Sequence, residues 1–278
     1  MSILPEKKAQ TVDAIYATYT QENPRSHLGA SQIGESCERK LWYTFRWCTI
    51  PSFEGRILRL FETGKLAEVR LIAELKKAGF EVFDKDETGE QFHFSFGFFG
   101  GSLDGVILGI PEAPKTPHVL EIKTSNEQNF KALQKAGVQA YKPLHYAQMQ
   151  CYMGAFVLTR AFYLVVNKND DSLYQERIEF DPIFYQSLLN KVERIIASET
   201  PLPRISEKPE WYECKLCEHA GVCHHGALPA KNCRTCKHFK TEKNYCFCNL
   251  HNCVLGIADQ RAGCAQHNFI ADLDPIPF

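Results

Sequence analysis

Residues 119–125, Val-Leu-Glu-Ile-Lys-Thr-Ser, decide how this chain folds. Val119, Leu120 and Ile122 mark a strand that is largely buried. Successive side chains of a strand point to opposite faces, so Glu121 and Lys123 share one face and Ile122 points to the other, toward an apolar core. A carboxylate and an ammonium on an otherwise apolar strand must be paired or bind a metal, because burying either charge alone is costly. Taken alone, the two could be a plain ion pair at the sheet surface. Two further carboxylates lie upstream: Asp104 in GSLDG (101–105) and Glu68 in GKLAE (64–68). Oxygen-rich groups converging on one point would suit a hard cation such as Mg²⁺ or Mn²⁺.

The pattern around this strand is that of an α/β core of about 200 residues, one sheet with helices packed on it. Residues 5–21 can form a first helix, and a second is expected from Ser31, with Ser31 as its N-cap. Over 55–79, Leu58, Phe61, Leu66, Val69, Leu71, Ile72 and Leu75 recur at helical spacing, and Gly79 sits where a helix-ending glycine belongs. The period then changes to two, predicting strands at 80–83, 91–96, 98–108 and 118–124. A helix at 126–136, a helix after Pro143, strands RAFYLVVNK (160–168) and SLYQERIEF (172–180), and a helix at 182–198 follow, ended by Pro201 and Pro203. We see no internal repeat.

Composition narrows the class. The chain's 278 residues are 44% hydrophobic, which excludes a disordered chain. A formal net charge of −1 excludes a generally basic nucleic-acid coat and leaves room for a local basic groove. No apolar run reaches the roughly 18–20 residues of a membrane span, the best (156–166) being interrupted by Arg160. The N-terminal MSILPEKKAQ lacks the apolar core of a signal peptide, so a cytoplasmic protein is expected, in a bacterium or a phage-infected cell.

Four motifs stand in order: GKLAE with Glu68, GSLDG with Asp104, EIK with Glu121 and Lys123, and QMQCY with Gln148 and Tyr152. This series resembles the PD-(D/E)xK nucleases, most of all their RecB-type branch. The likeness covers roughly residues 30–200. Singly, D…ExK occurs by chance in many chains; four motifs in order on the expected elements are specific. The resemblance implies a central mixed sheet flanked by helices, as in restriction endonucleases. Asp104 and Glu121 would bind Mg²⁺ or Mn²⁺, helped by the Ile122 carbonyl and Glu68. Lys123 would orient or deprotonate the attacking water and stabilise charge on the phosphate. Gln148 and Tyr152, on one helical face, would hold substrate or buttress Lys123. Two departures stand out: RecB-type members commonly have histidine where Glu68 stands, and Leu103 replaces the proline of the family name.

Nine of the 12 cysteines fall in the last 65 residues, which in a chain without a secretory signal reads as metal binding before disulfides. Cys214, Cys217 and Cys223 form C-x2-C-x5-C and leave a fourth ligand to be found; Cys37 in GESCERKLWY is the natural candidate. RecB-type nucleases with an iron–sulfur cluster, such as the CRISPR-associated adaptation nucleases, have one cysteine before the core and three after it. The resemblance thus implies a [4Fe–4S] cluster on Cys37, Cys214, Cys217 and Cys223, more a structural clasp than a redox catalyst. A Cys₄ zinc site would use the same residues.

Farther on, Cys233 and Cys236, Cys248, and Cys264 or His267 read as a zinc ribbon, a staple that about 50 residues need to hold a fold. Cys246, His251 and Cys253 are further candidate ligands. Lys231, Arg234, Lys237, Lys240 and Lys243 could meet a phosphate backbone or simply form a solvated loop. The expected division is a nuclease core at 1–210, a cluster-ligand segment at 211–227 and a zinc module at 228–278.

The leading expectation is a metal-dependent DNA nuclease, an exonuclease on single-stranded ends, working in replication, recombination or phage DNA processing. With no GxxxxGK[ST] loop in the chain, any helicase or recombinase partner would be a separate protein. The alternatives are a non-catalytic DNA-binding or assembly module with a vestigial nuclease fold, and a redox protein, which would lack any flavin or nicotinamide fingerprint.

Overall fold

The structure, a computed structural model, describes residues 10–21 and 23–273. After α1 (Gln10–Ala17) and β1 (Leu28–Gly29) come α2 (Glu38–Phe45) and the long α3 (Gly55–Lys77). The short strands β2 (Glu81–Phe83), β3 (His93–Phe96), β4 (Phe99–Ser102) and β5 (Gly105–Leu108) lead to β6 (His118–Ser125). Helices α4 (Glu127–Tyr141) and α5 (Pro143–Ala155) connect β6 to β7 (Arg160–Asn167), and β8 (Leu173–Glu179) and α6 (Pro182–Ala197) follow. The central sheet has the order β2-β5-β6-β7-β8; β6 and β7 are parallel and the other pairs antiparallel. Two parallel strands need a crossover, and α4 and α5 supply it.

The pleat divides the core as the alternation in the sequence demands. Val119, Tyr163 and Val165 face the side covered by α4 and α5, with Leu133 and Met149. Leu120, Ile122, Phe162 and Leu164 face the other, packed against Leu71 and Ile72 of α3. The expected α/β layering is present. Of the seven periodic apolar residues of α3, only Leu71 and Ile72 are buried, while Phe61, Leu66 and Val69 are exposed. Gly79 follows the helix with φ +94°, a conformation open to glycine at little cost.

Three sequence expectations are corrected. The helix expected from Ser31 begins at Glu38, with Cys37 at the N-cap. Gly34 lies so close to α5 that a Cβ there would stand 2.8 Å from Leu144 Cα, and this contact holds the preceding turns flat on the helix. The strand expected at 98–108 breaks at Leu103 and Asp104. Leu103 is fully buried and its N–H donates to Phe92 O at 3.0 Å, so β4 pairs with β1 and β3 while β5 joins the central sheet. The helix at 126–136 continues to Tyr141 past a break at Gly137 (φ +76°). Of the first predicted helix, residues 5–9 lie outside the described residues.

The C-terminal part holds α7 (Tyr212–Lys215), α8 (Ala220–His224), a 3₁₀ turn at Cys233–Thr235, a sheet of β9 (Phe239–Glu242), β10 (Tyr245–Cys248) and β11 (Cys253–Leu255), and α9 (Ile257–Ala262). It is sewn onto the rest: Ile270 and Leu273 join the main apolar core. Among the described residues no helix is long and apolar enough to cross a membrane.

Candidate active site

Glu121 lies in the middle of β6 and is fully buried. Its Oε1 accepts a hydrogen bond from Lys123 Nζ, its neighbour on the same face. Its Oε2 is buried and, among the described residues, has no hydrogen-bond partner. A lone carboxylate oxygen in that position forfeits its hydration for nothing, and it is the natural place for a cation. Asp104 occupies the break between β4 and β5, where its Oδ2 accepts the Ile122 backbone N–H at 2.7 Å. That bond pins the carboxylate against β6. Glu68, half-buried on α3 one turn before the buried Ile72, accepts a hydrogen bond from Gln91 Nε2 at 3.0 Å.

The electrostatics confirm one coupled group. Burial, opposed by Lys123 and reinforced by Asp104 and Glu68, pushes Glu121 up to about 8. Burial, then the charge of Asp104, pushes Glu68 up to about 7. Burial also raises Asp104, opposed by Lys123 and the Ile122 N–H. For Lys123, burial favours the neutral amine, but Glu121, Asp104 and Glu68 outweigh it and the ammonium is held above its ordinary range.

Among the described residues, no three His, Cys, Asp or Glu side chains stand close enough to hold a metal ion as they are. The donor set nonetheless fits a hard divalent cation. It offers oxygens only, one of them orphaned, with carboxylates that ionise more readily once a positive charge sits among them.

The raised carboxylates make a pH prediction. Both glutamates bind protons in the folded chain at pH values where the unfolded chain has released them. Their contribution to stability is therefore complete below about pH 4.5 and is lost as pH rises through 7 to 8. Without divalent metal, the melting temperature should fall from about pH 4.5 to about pH 8. The increment brought by added Mg²⁺ should grow over the same window. A metal-free melting temperature flat across it would show that these carboxylates are not held in their protonated form.

Gln148 and Tyr152 are buried on α5. Gln148 Nε2 donates to Tyr152 Oη at 3.0 Å, and Tyr152 Oη donates to Ser102 O at 2.6 Å. Their hydrogen bonds thus run to the end of β4, next to the break that carries Asp104, and not to Lys123. Tyr152→Phe should cost about 1 kcal/mol of stability, read by denaturant unfolding. With Asp104 displaced, turnover should fall up to about tenfold in kcat with KM little changed. A rise in KM alone would return Tyr152 to substrate binding.

Sequence reasoning missed two residues here. Gln91 holds Glu68 from a loop 23 positions away, and no local signal announces it. His145 stands one helical turn before Gln148, with Nδ1 2.6 Å from Tyr163 Oη. Burial, then the nearby charges of Lys123 and Lys142, push it down to about 3, so it is a neutral imidazole at the back of the site. Its position in LHYAQMQCY was the available clue.

Each cysteine set lines one cavity, although among the described residues no three of its thiols are close enough to hold a metal ion as they stand. Cys37, Cys214, Cys217 and Cys223 line one cavity of about 430 Å³, which Ser36 and Glu213, joined by a hydrogen bond, also line. Cys233, Cys236, Cys248, Cys264 and His267 line a second cavity of about 320 Å³. The basic stripe does not survive as read: Arg234 is fully buried, and Lys240 pairs with Glu199. Lys231, Lys237 and Lys243 are exposed.

No protein-family model matches the sequence, and no curated protein does. Among solved structures, the chain is similar to LHK-Exo, an alkaline exonuclease from Laribacter hongkongensis seen in complex with dAMP. The two share 19% identity at a TM-score of 0.45, over 66% of this chain and 89% of that one. It is also similar to a phage related exonuclease from Haemophilus somnus 129PT, at 15% identity and a TM-score of 0.42, over 65% and 94% of the two chains. A third, SSO0001, covers 77% of this chain and 93% of its own at 15% identity and a TM-score of 0.41.

Proposed function

We propose that this chain is a divalent-metal-dependent deoxyribonuclease of the PD-(D/E)xK type, an exonuclease acting on single-stranded DNA ends. The observation that carries the reading is the orphaned Glu121 Oε2, buried beside Lys123 and electrostatically coupled to Asp104 and Glu68. Glu121, Asp104 and Glu68, with the Ile122 carbonyl, would hold Mg²⁺ or Mn²⁺. A divalent cation there supplies Lewis acidity to the scissile phosphate and lowers the pKa of the attacking water.

The chain's own residues do the rest. Lys123 keeps its proton, so it serves as a positive donor to the water and to the charge developing on the phosphate rather than as the base. Asp104 is fixed by the Ile122 N–H, which leaves its second oxygen to the site. Gln148 and Tyr152 keep the Asp104 segment in register through Ser102, a positioning role. Buried carboxylates that resist ionisation make metal binding cost protons, so activity at limiting metal should climb from pH 6 to 9.

Cys37, Cys214, Cys217 and Cys223 line one cavity, and we assign them, as four thiolates, to a [4Fe–4S] cluster that would clip α2 to the segment at 211–227. Cys37→Ala should bleach the brown colour of anaerobically purified protein. A Cys37→Ala protein with its full iron would remove Cys37 from the ligand set.

The test of function compares end-labelled single- and double-stranded DNA with Mg²⁺, Mn²⁺ or EDTA. Metal-dependent degradation of single strands from their ends is expected. An intact protein that binds DNA and cleaves none with either metal would favour an assembly module.

A further inference from the structure

The zinc-like cysteine pattern of the tail left its ligands undecided, and the fold adds a reason for the site to exist. Cys233 and Cys236 bracket a 3₁₀ turn closed by Asn232, whose side chain accepts the N–H groups of Arg234 at 2.8 Å and Thr235 at 3.3 Å. Both cysteines line the 320 Å³ cavity, whereas Arg234 between them does not. Its guanidinium lies instead in the core, 4.0 Å from the Trp47 ring centroid and 4.9 Å from that of Phe45. It donates to Phe45 O, Ser26 O and Gln260 Oε1, each at 2.8 Å. One short turn thus carries two sulfurs on one side and an interior cation on the other.

The remaining ligands follow from placement. Cys236, Cys248 and Cys264 line the same cavity as Cys233 and stand near enough that, after burial, their charges raise its thiol pKa. Cys248 ends β10, and Cys264 follows Gly263, where φ is +64° and an added Cβ would lie 3.6 Å from Asn232 Cα, beside the Cys233 turn. His267 is otherwise engaged, with Nε2 3.2 Å from Thr235 Oγ1 and its ring edge-on to Phe269. Cys246 is buried against Arg234, away from the cavity, and Cys253 is exposed.

We propose that Cys233, Cys236, Cys248 and Cys264 take one Zn²⁺, and that this ion locks the Cys233–Cys236 turn so that Arg234 stays fastened in the core. Four thiolates around a d¹⁰ ion favour a tetrahedron, and coordination draws the sulfurs in from the walls of the cavity. The ion would do for the tail what a large apolar core does for a bigger domain. The inference stands independently of the nuclease reading.

The test uses the full chain and elemental analysis for zinc and iron. Cys264→Ser should lose one zinc equivalent relative to the parent, while His267→Ala and Cys246→Ser keep it. Removing that zinc with a chelator should shift the tryptophan emission, because Trp47 loses its partner. Should Cys264→Ser fail to fold, the unaltered protein serves: alkylation mapped by mass spectrometry should modify Cys253 and spare the four ligands until zinc is removed. Zinc retained in a folded Cys264→Ser protein, zinc lost in His267→Ala, or Cys233 and Cys264 alkylated in zinc-loaded protein as fast as Cys253 would each overturn the proposal.

Discussion

Lys123→Ala should reduce metal-dependent DNA cleavage about 10²–10³-fold while leaving the fold in place. Two losses combine. The ammonium that would meet developing negative charge is gone, and Glu121 loses the cation that holds its pKa down. Glu121 then keeps its proton to still higher pH, which weakens its hold on metal near neutrality. The same shift protects the fold, since a protonated carboxyl is far cheaper to bury than an unpaired carboxylate. Part of the activity should therefore return at higher pH or higher metal, because Glu121 can still be ionised. The remainder, due to the missing donor, should not. Cleavage of end-labelled single strands at several pH values separates the two. Full activity in a folded Lys123→Ala protein would mean that the reaction does not pass through this site.

Arg234→Ala should cost about 3–5 kcal/mol in denaturant unfolding, the largest stability effect we expect of a single side chain here. Hydrogen bonds to charged groups contribute about 1.5–3 kcal/mol each, and Arg234 makes three to acceptors inside the protein. Removing it leaves Phe45 O and Ser26 O without that donor and empties the space against Trp47. Relief of the guanidinium's own desolvation offsets part of this; burial already pulls Arg234 down to about 10. Arg234→Lys should recover little, because one ammonium cannot span three divergent acceptors and stack flat on an indole. A loss below about 1 kcal/mol would mean that the turn repacks without its guanidinium.

The two substitutions probe residues of very different legibility. Glu121 and Lys123 were readable at once: a period of two puts them on one face, and the apolar neighbours announce burial. Arg234 looked like one member of a basic loop, because a run of lysines and arginines in sequence carries no mark of which one is interior. Its burial depends on Phe45 and Trp47, nearly 190 positions earlier, and on the Cys233–Cys236 turn that aims it there. Similarly, the helix expected from Ser31 starts at Glu38, after a segment in which Gly34 passes close over α5.

By itself, the sequence determined the α/β alternation, α3 with its ending glycine, the existence of the strands β6 and β7, the shared face of Glu121 and Lys123, and the two groups of cysteines. All of these follow from spacing along one segment, and periodicity is a local property. Tertiary structure alone decided that 98–108 is two strands in two sheets, and that the break lets Asp104 reach the Ile122 N–H. It also decided that Gln91 steadies Glu68, that Tyr152 holds Ser102 rather than Lys123, and that Arg234 lies inside. Each of these is a contact between distant segments, set by which backbone groups and side chains need partners once water is excluded, and no local pattern encodes that choice.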